Sequence, residues 1–158
     1  MSTLLIEGGR RLSGTVDVEG NKNAALPLLA ACLLTTEECV LTNVPRIRDV
    51  EVMCQLLVDL GASVEGIGTT TVTVRCPEVV KDEPDGVMVG RLRGSVLLLG
   101  PLLARRGRAV LALPGGDFPA RRTISTHLEA LMSMGARVLD MPGHVLECPD
   151  GLKPTSIY

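Results

Sequence analysis

The feature that most constrains the fold of this 158-residue chain is an internal repeat. Residues 60–64 (Leu-Gly-Ala-Ser-Val) return as residues 134–138 (Met-Gly-Ala-Arg-Val), and each copy leads through a turn into a strand-like segment followed by Cys-Pro. Upstream, residues 40–45 correspond to residues 110–114 in the same way. The period of about 70 residues suits a supersecondary unit of several elements, so we predict two structural repeats.

Each repeat is predicted to contain a helix, a strand, a second helix and two further strands, which makes the chain an α/β protein of βαβαββ-type units. The first helices, residues 24–34 and 96–104, are apolar nearly all round and are expected to be buried. The second helices, residues 49–60 and 125–134, carry apolar side chains three and four residues apart, which is typical of one buried face.

The ends of the second helices also carry sequence signals. Thr123 or Ser125 is a candidate N-cap, because a hydroxyl oxygen accepts a hydrogen bond from the free N–H groups of a first turn. Gly61 and Gly135 follow the last apolar positions, where glycine favours the left-handed conformation that ends a helix.

The first 19 residues lie outside the repeat. Residues 4–7 and 14–18 are predicted to be strands on either side of residues 8–11 (Gly-Gly-Arg-Arg), which together indicate a β-hairpin. We therefore divide the chain into this hairpin (1–19), a first repeat (20–88) and a second repeat (89–158).

Composition limits the classes of protein to which the chain can belong. Hydrophobic residues make up 46% and aromatic residues only 1%, so the core must be aliphatic. A net charge of -2 without blocks of like charge argues against a nucleic-acid partner. The apolar runs are too short to cross a membrane, and the first residues do not resemble a signal peptide. We expect a cytoplasmic protein without a membrane partner.

The cysteines are five in number, widely spread and without a Cys-x-x-Cys pair, and the chain contains only two histidines. This pattern favours reduced, mostly buried thiols and predicts neither a metal site nor a disulfide framework.

Two cations occupy equivalent places in the repeats. Lys22 lies where a strand meets the first helix, and a helix N-terminus with an added positive charge suits phosphate or carboxylate. Arg93 has the corresponding position in the second repeat, and of Arg91 and Arg93 we expect one to be merely solvated. Asn21 and Asn23 flank Lys22, and either of them is also a candidate helix cap.

The segment at residues 114–122 places Asp117 between a Gly pair and Arg121-Arg122. One interpretation is a lid-type loop that brings an acid over a bound anion; the other is a salt-bridged surface loop. Nearby cations lower the pKa of a carboxyl and burial raises it, so the sequence leaves the protonation of Asp117 open. His127, on the helix that follows, fits either a structural or a site role.

Taken together, these residues resemble the enolpyruvyl transferase family, and most closely its members that act on UDP-N-acetylglucosamine. The resemblance covers essentially the whole chain. Its motifs are residues 20–27 (Gly-Asn-Lys-Asn-Ala-Ala-Leu-Pro), 43–50 (Asn-Val-Pro-Arg-Ile-Arg-Asp-Val), 92–105, 113–116 and 120–122, with His127.

The resemblance implies a fold and a reaction. The fold is an inside-out α/β barrel, with helices inside and sheets outward. The reaction transfers the enolpyruvyl group of phosphoenolpyruvate to the 3-hydroxyl of UDP-N-acetylglucosamine and releases phosphate, as a step in making peptidoglycan precursors. It passes through a tetrahedral intermediate and needs no cofactor.

The resemblance also implies residue roles. Lys22 and Arg122 contact phosphoenolpyruvate, Asn23 bonds the amino sugar, and Arg93 helps to bind substrate anions. Asp117 is the loop acid, with Lys22 as its catalytic companion. The stretch that contacts uridine comprises Arg122, Thr123, Ile124, Ser125 and Thr126, and His127 matches a site histidine.

Two substitutions depart from the usual family pattern. Asp117 stands where cysteine is common, and a carboxyl donates a proton if its pKa is raised, so we expect catalysis to be possible and fosfomycin, which alkylates that thiol, to have no effect. Thr123 and Ser125 stand where proline and aspartate are typical. A different nucleotide or nucleotide-sugar acceptor is therefore an alternative.

Family members are more than twice as long and have two domains of three repeats each, so we expect the chain to be a fragment, its N-terminal hairpin belonging with the second domain. A partner chain or self-association would then complete the site. The alternative without catalysis is an inactive anion-binding or assembly module.

Overall fold

The structure, a computed structural model, describes residues 3–9, 11–115, 124–140 and 144–156, with only the backbone of Asp140. The first repeat contains α1 (Lys22–Ala31), the 3₁₀ turn η1 (Cys32–Leu34), β1 (Glu38–Leu41), α2 (Arg48–Asp59), β2 (Ser63–Glu65) and β3 (Val72–Arg75). The second contains α3 (Gly86–Val89), the 3₁₀ turn η2 (Arg93–Leu98), α4 (Leu99–Arg106), β4 (Arg108–Leu111), α5 (Ser125–Ser133), β5 (Arg137–Asp140) and β6 (His144–Glu147). The predicted order of helix, strand, helix, strand and strand is confirmed in both repeats, although α3 is not predicted. The described residues contain no strand directly before the first helix of either repeat, so the leading strand of the βαβαββ unit is not observed.

Each repeat forms its own three-stranded sheet, with the last strand in the centre. The orders are β1-β3-β2 and β4-β6-β5, and every neighbouring pair is antiparallel. The two registers correspond, since Val40 lies opposite Thr73 in the first sheet and Val110 lies opposite Val145 in the second. The outer strands of each sheet therefore run parallel to each other, joined through a helix.

The helix α2 shows how the pattern of side chains sets the packing. Its apolar positions recur three and four residues apart, so Met53, Leu56 and Leu57 all lie on one face and are fully buried. Gly61 ends the helix with a φ of 104°, and Gly135 ends α5 with the same value. Both glycines thus take the left-handed conformation predicted for them.

The core is aliphatic and extends through both repeats as one cluster. The helix α1 packs against α2 and η2, and η1 packs against α4. The largest fully buried side chains, apart from Met53, are leucines of both repeats: Leu29, Leu33, Leu56, Leu57, Leu60, Leu98, Leu99, Leu102, Leu103, Leu111 and Leu146.

The predicted N-terminal hairpin is wrong for this structure. No strand is present in residues 3–9 or 11–19, and the apolar side chains there are exposed, with Leu4 at 83% and Leu12 at 93%. The reason is physical: a hairpin alone is marginally stable in water, and these side chains meet no other layer in the described structure.

Two finer predictions about the helices are also wrong. The first helix of the first repeat is not buried all round, because Leu28 and Leu34 are each about half exposed. The N-cap of α5 is Ile124, which makes no side-chain capping bond, so Ser125 is the first helical residue and not the cap. Thr123, the other candidate, lies outside the described residues. Within the described ranges, no helix combines the length and hydropathy needed to cross a bilayer.

Candidate functional site

A cavity of about 630 Å³ opens where the two repeats meet. The start of α1, the first turn of α2, the segment entering η2 and the start of α5 all contribute to its wall. The lining residues are Lys22, Asn23, Leu26, Pro27, Asp49, Arg91, Leu92, Arg93, Gly94, Val96, Leu97, Ile124 and His127.

The start of α1 is held in place by Asn21. Its side-chain oxygen accepts a hydrogen bond from the backbone N–H of Asn23 at 2.7 Å, so Asn21 is the N-cap and the side chain of Asn23 is not. Gly20, just before the cap, passes so close to Asn43 that a Cβ at Gly20 would overlap the Asn43 carbonyl oxygen. Because Asn21 caps the helix, the side chain of Asn23 has no capping role, and Asn23 contributes a hydrogen-bonding group to the cavity wall.

Lys22 carries the first positive charge of the cavity. Its Nζ lies 2.8 Å from Oδ2 of Asp49, and both side chains are more than a third exposed. Asp49 lies in the first turn of α2, where the free N–H groups favour a carboxylate. Because water screens this ion pair, an anion entering the cavity can compete with Asp49 for Lys22.

Arg91 and Arg93 also line the cavity, at the beginning of η2. The turn that presents them is fixed from inside by Ser95, a fully buried residue whose hydroxyl donates a 2.6 Å hydrogen bond to the carbonyl of Leu92. Gly94 then packs directly on Leu26 of α1, and a Cβ at Gly94 would lie 2.8 Å from Leu26 Cδ1. The two cation-bearing segments are therefore in tight contact.

The start of α5 closes the cavity on a third side. Ile124 is buried and lines the wall, whereas His127 is exposed and also lines it. Ser125 and Thr126 lie in the same turn but are not part of the lining.

Of the predicted site residues, the structure brings together Lys22, Asn23, Arg93, Ile124 and His127. Asp117, Arg122 and Thr123 lie outside the described residues. Sequence reasoning missed Asp49 as a wall residue, and it expected only one of Arg91 and Arg93 to belong to the site, whereas both line the cavity. Asp49 belongs to a motif used for the family resemblance, but nothing in that motif indicates a partner 27 positions away.

The charges of this wall suit an anionic ligand. Lys22, Arg91 and Arg93 contribute three positive groups, and Asp49 is the carboxylate among the lining residues. Positive side chains beside the N-terminus of α1 are typical of sites for phosphate and carboxylate groups. The described residues contain no group of three or more His, Cys, Asp or Glu side chains able to hold a metal ion.

The cysteines do not belong to this cavity. All five thiols are free and four of them are buried, as predicted. Burial raises the pKa of Cys32 to about 12 and that of Cys54 to about 11. Since the thiolate is the reactive form, these two side chains are poor nucleophiles.

Comparison with known proteins agrees with the motifs. The family model of EPSP synthase (3-phosphoshikimate 1-carboxyvinyltransferase) matches residues 6–146. The UDP-N-acetylglucosamine 1-carboxyvinyltransferase of Desulfosudis oleivorans is 46% identical over the whole chain, and that of Nitratidesulfovibrio vulgaris is 47% identical. The chain spans only 38% and 37% of the lengths of these relatives.

Solved structures give the same result for the fold. The crystal structure of the enolpyruvyl transferase NikO from Streptomyces tendae is similar with a TM-score of 0.75 and 27% identity, over 93% of this chain and 32% of that one. EPSP synthase from Acinetobacter baumannii has a TM-score of 0.56 at 19% identity, which supports the fold alone. The described part is thus a partial domain of the enolpyruvyl transferase fold, homologous to the UDP-N-acetylglucosamine 1-carboxyvinyltransferases, and the chain belongs to the EPSP synthase family.

Proposed function

We propose that this chain is the part of an enolpyruvyl transferase that binds phosphoenolpyruvate and UDP-N-acetylglucosamine. The whole enzyme would transfer the enolpyruvyl group to the sugar 3-hydroxyl and release phosphate, supplying peptidoglycan precursors in the cytoplasm. The observation that carries the proposal is the cavity between the repeats, whose wall includes Lys22 at the start of α1 together with Arg91 and Arg93. No organic cofactor or metal is needed.

The proposed role of the cations is electrostatic. Phosphoenolpyruvate brings a phosphate and a carboxylate, and the nucleotide sugar brings a diphosphate, so two anionic molecules must lie close together. When phosphoenolpyruvate binds, it replaces Asp49 as the partner of the Lys22 ammonium group. Arg93, which belongs to the second repeat, also binds substrate anions. Fixed cations in a cavity stabilise negative charge without having to reorganise as the reaction proceeds.

The reaction has two halves with balanced protons. First, the methylene carbon of phosphoenolpyruvate gains a proton from the donor, and the sugar oxygen bonds to the central carbon as its own proton passes to a carboxylate that the remaining segment of the enzyme would supply. The tetrahedral intermediate then releases phosphate, and the new methyl group returns a proton to the ionised donor, which restores the double bond. We assign the initial proton donor to Asp117, which lies outside the described residues and whose role therefore rests on the family resemblance.

The remaining assignments also follow the resemblance. Asn23 bonds the amino sugar, and its place on the wall suits that role. Arg122 binds phosphoenolpyruvate, and the stretch from Arg122 to Thr126 contacts uridine. His127 matches a site histidine by position. The two repeats, with boundaries near residues 20 and 89, form part of an inside-out barrel that a further segment or a partner chain completes.

A second acceptor class is favoured by one observation. Thr123 and Ser125 replace the proline and aspartate typical of the stretch that contacts uridine, and Ser125 is exposed at the start of α5. A different nucleotide or nucleotide sugar then takes the place of UDP-N-acetylglucosamine. Profiling phosphate release over several nucleotide sugars in the whole enzyme separates the two acceptors.

Ligand binding to the 158-residue chain is the direct test. We expect phosphoenolpyruvate to shift the amide NMR signals of residues 22–25 and 91–94, and Lys22→Met to weaken its affinity about tenfold or more. The matched control is Lys153→Met, which changes an exposed lysine that is not part of the cavity wall. If neither substrate shifts these signals, the proposal that this chain binds them is wrong.

Turnover tests the second half of the proposal. We expect phosphate release from both substrates only when the chain is joined to the remaining sequence of a full-length relative, and we expect Asp117→Ala to abolish it. Release by the 158-residue chain alone would contradict the need for further segments.

A further inference from the structure

Arg105, in the last turn of α4, joins the two repeats through backbone carbonyls. Its Nη1 donates to the carbonyl oxygens of Leu33 at 2.8 Å, Thr35 at 3.2 Å and Cys76 at 3.5 Å. Its Nη2 donates to those of Cys76 at 3.3 Å and Pro77 at 2.9 Å. All of these acceptors belong to the first repeat, at the end of η1 and just after β3.

The segments joined at this point run side by side in the same direction. The helix α1 continues into η1, and η2 continues into α4. Since α1 contacts η2 and η1 contacts α4, the two N-terminal ends lie together and the two C-terminal ends lie together. The first pair of ends carries Lys22 and Arg93 to the cavity, and the second pair meets at Arg105.

Parallel alignment has an electrostatic cost that Arg105 offsets. The C-terminal end of a helix carries partial negative charge on its free carbonyls, so two such ends repel each other. The guanidinium of Arg105, carried by the last turn of α4, donates to the Leu33 and Thr35 carbonyls at the end of η1 and so reduces this repulsion. Its planar set of N–H donors can bond several carbonyls at once, which the single ammonium of lysine cannot do in the same geometry.

We infer that Arg105 is a positioning residue for the cavity: it fixes how far the α1–η1 segment is displaced along the η2–α4 segment, and thereby sets the distance from Lys22 to Arg91 and Arg93. Each segment is about 20 Å long and helical, so a displacement at one end is transmitted to the other. Near the cavity, Gly94 packs directly against Leu26, so the two segments have no free space between them at that point.

The geometry is tested with Arg105→Lys, which keeps the charge and removes the planar donor set. The matched control is Arg106→Lys, on the neighbouring, exposed residue of the same helix. We expect Arg105→Lys to shift the amide NMR signals of Lys22, Asn23 and Arg93 at the far end, and the control to leave them in place. Shifts confined to residues 33–35 and 76–77 would overturn the inference.

A second test measures ligand binding and therefore rests on the proposed function. A failure of the proposed function can be distinguished from a failure of the inference. We expect Arg105→Lys to weaken phosphoenolpyruvate binding about tenfold. In Arg105→Ala, low millimolar guanidinium should restore affinity by occupying the vacated place, whereas sodium chloride of equal ionic strength should not. An unchanged affinity in both variants would overturn the inference; if Arg105→Ala does not fold, Arg105→Lys decides. If the unsubstituted chain binds no phosphoenolpyruvate, the proposed function fails while the amide shifts still decide the role of Arg105.

Discussion

At the residue scale, Gly115 marks a point where two stretches of backbone touch. Its N–H donates a 3.2 Å hydrogen bond to the carbonyl of Val89, and a Cβ at this position would overlap the backbone of Gly90. The first repeat has the same contact between Gly20 and Asn43. In both repeats, the chain leaving the first strand is thus pressed against the chain entering the first helix, just before the cations of the cavity.

Gly115→Ala is therefore expected to lower the free energy of unfolding by about 1–3 kcal/mol, as overpacking does elsewhere. The matched control is Gly100→Ala in α4, where a Cβ meets no atom within 4 Å outside the adjacent residues. Alanine favours the helix but its Cβ is disfavoured before Pro101, so the control should change stability by less than about 1 kcal/mol. Urea unfolding of both variants measures the difference. Equal free energies of unfolding would show that the backbone moves to accept the Cβ at residue 115 without a loss of stability.

His144 is a buried histidine at the start of β6. Its Nδ1 has no hydrogen-bond partner in the part of the chain that the structure describes. Burial lowers the pKa of its imidazole below the ordinary value of 6.5, so the folded chain favours the neutral ring.

The stability of the chain should accordingly depend on this residue between neutral and mildly acidic pH. The unfolded chain takes up a proton near pH 6.5 and the folded chain only at lower pH, so the stabilisation present above pH 6.5 is lost as the pH falls through the folded pKa. Melting temperatures measured from pH 7.5 downwards should fall in this window. His144→Gln should remove that slope, and its persistence would assign the effect to another group.

At the element scale, the linker between β3 and α3 is tied to both repeats. Lys81 Nζ lies 2.7 Å from Oδ1 of Asp59 in α2, which holds the linker to the first repeat. Asp82 Oδ2 lies 2.6 Å from Nη1 of Arg108 in β4, and the Asp82 carbonyl accepts a 2.9 Å hydrogen bond from Val110. Consecutive residues of the linker thus bind different repeats: Lys81 binds the first repeat and Asp82 binds the second.

The Asp82 ion pair predicts an acid-sensitive connection. The hydrogen bond from Arg108 holds the pKa of Asp82 below its ordinary 3.8, so its stabilisation is complete above that value and is lost as the pH falls through the folded pKa. Asp82→Asn should lower the melting temperature at pH 6. In this variant the melting temperature should also decrease less as the pH falls below 4. The control, Glu83→Gln on the exposed neighbour, should keep the full acid slope; if both variants behave alike, Asp82 is not the cause.

The order of elements could be predicted because the repeat supplies two copies of each local pattern. Helix α2 and strand β3 bury the residues that their periods indicate, and Gly61 ends the helix as expected. The hairpin failed because strand propensity acts only where a partner strand or a packed face exists. Alternation along a sequence does not show whether that partner is present.

The candidate site was predictable where charge and position in the repeat coincide, as for Lys22 and Arg93. Asp49 and Arg105 were not, because their partners lie 27 to 72 positions away along the chain. The partners of Arg105 are also backbone carbonyls, which every residue has. Such contacts appear only after the repeats have been packed together.

At the scale of the whole molecule, one core cluster spans both repeats. Repeat proteins gain stability from the interface between neighbours as well as from each unit, so strong coupling makes two units unfold together. The helices α1 and α4 both contribute to this interface, α1 through its contact with η2 and α4 through its contact with η1.

We therefore expect one cooperative transition in urea, with the same midpoint for amide signals of Val74 in the first sheet and Leu146 in the second. Leu103→Ala, at a fully buried site, should lower both midpoints together and cost about 2–5 kcal/mol. Leu28→Ala, at a half-exposed site, is the control and should change little. Separate midpoints for the two sheets would show that the repeats are independent folding units.

The parallel packing of the two first-helix segments also bears on how such a cavity can originate. When a gene for one unit is duplicated, a single cation at its helix start is copied too, and side-by-side packing then points both copies at the same space. Lys22 at the start of α1 and Arg93 at the start of η2 both line the same cavity, as such an origin requires. The guanidinium at the opposite end is not duplicated, because Thr35 stands in the first repeat where Arg105 stands in the second. The connection at that end is therefore a feature of the second repeat alone.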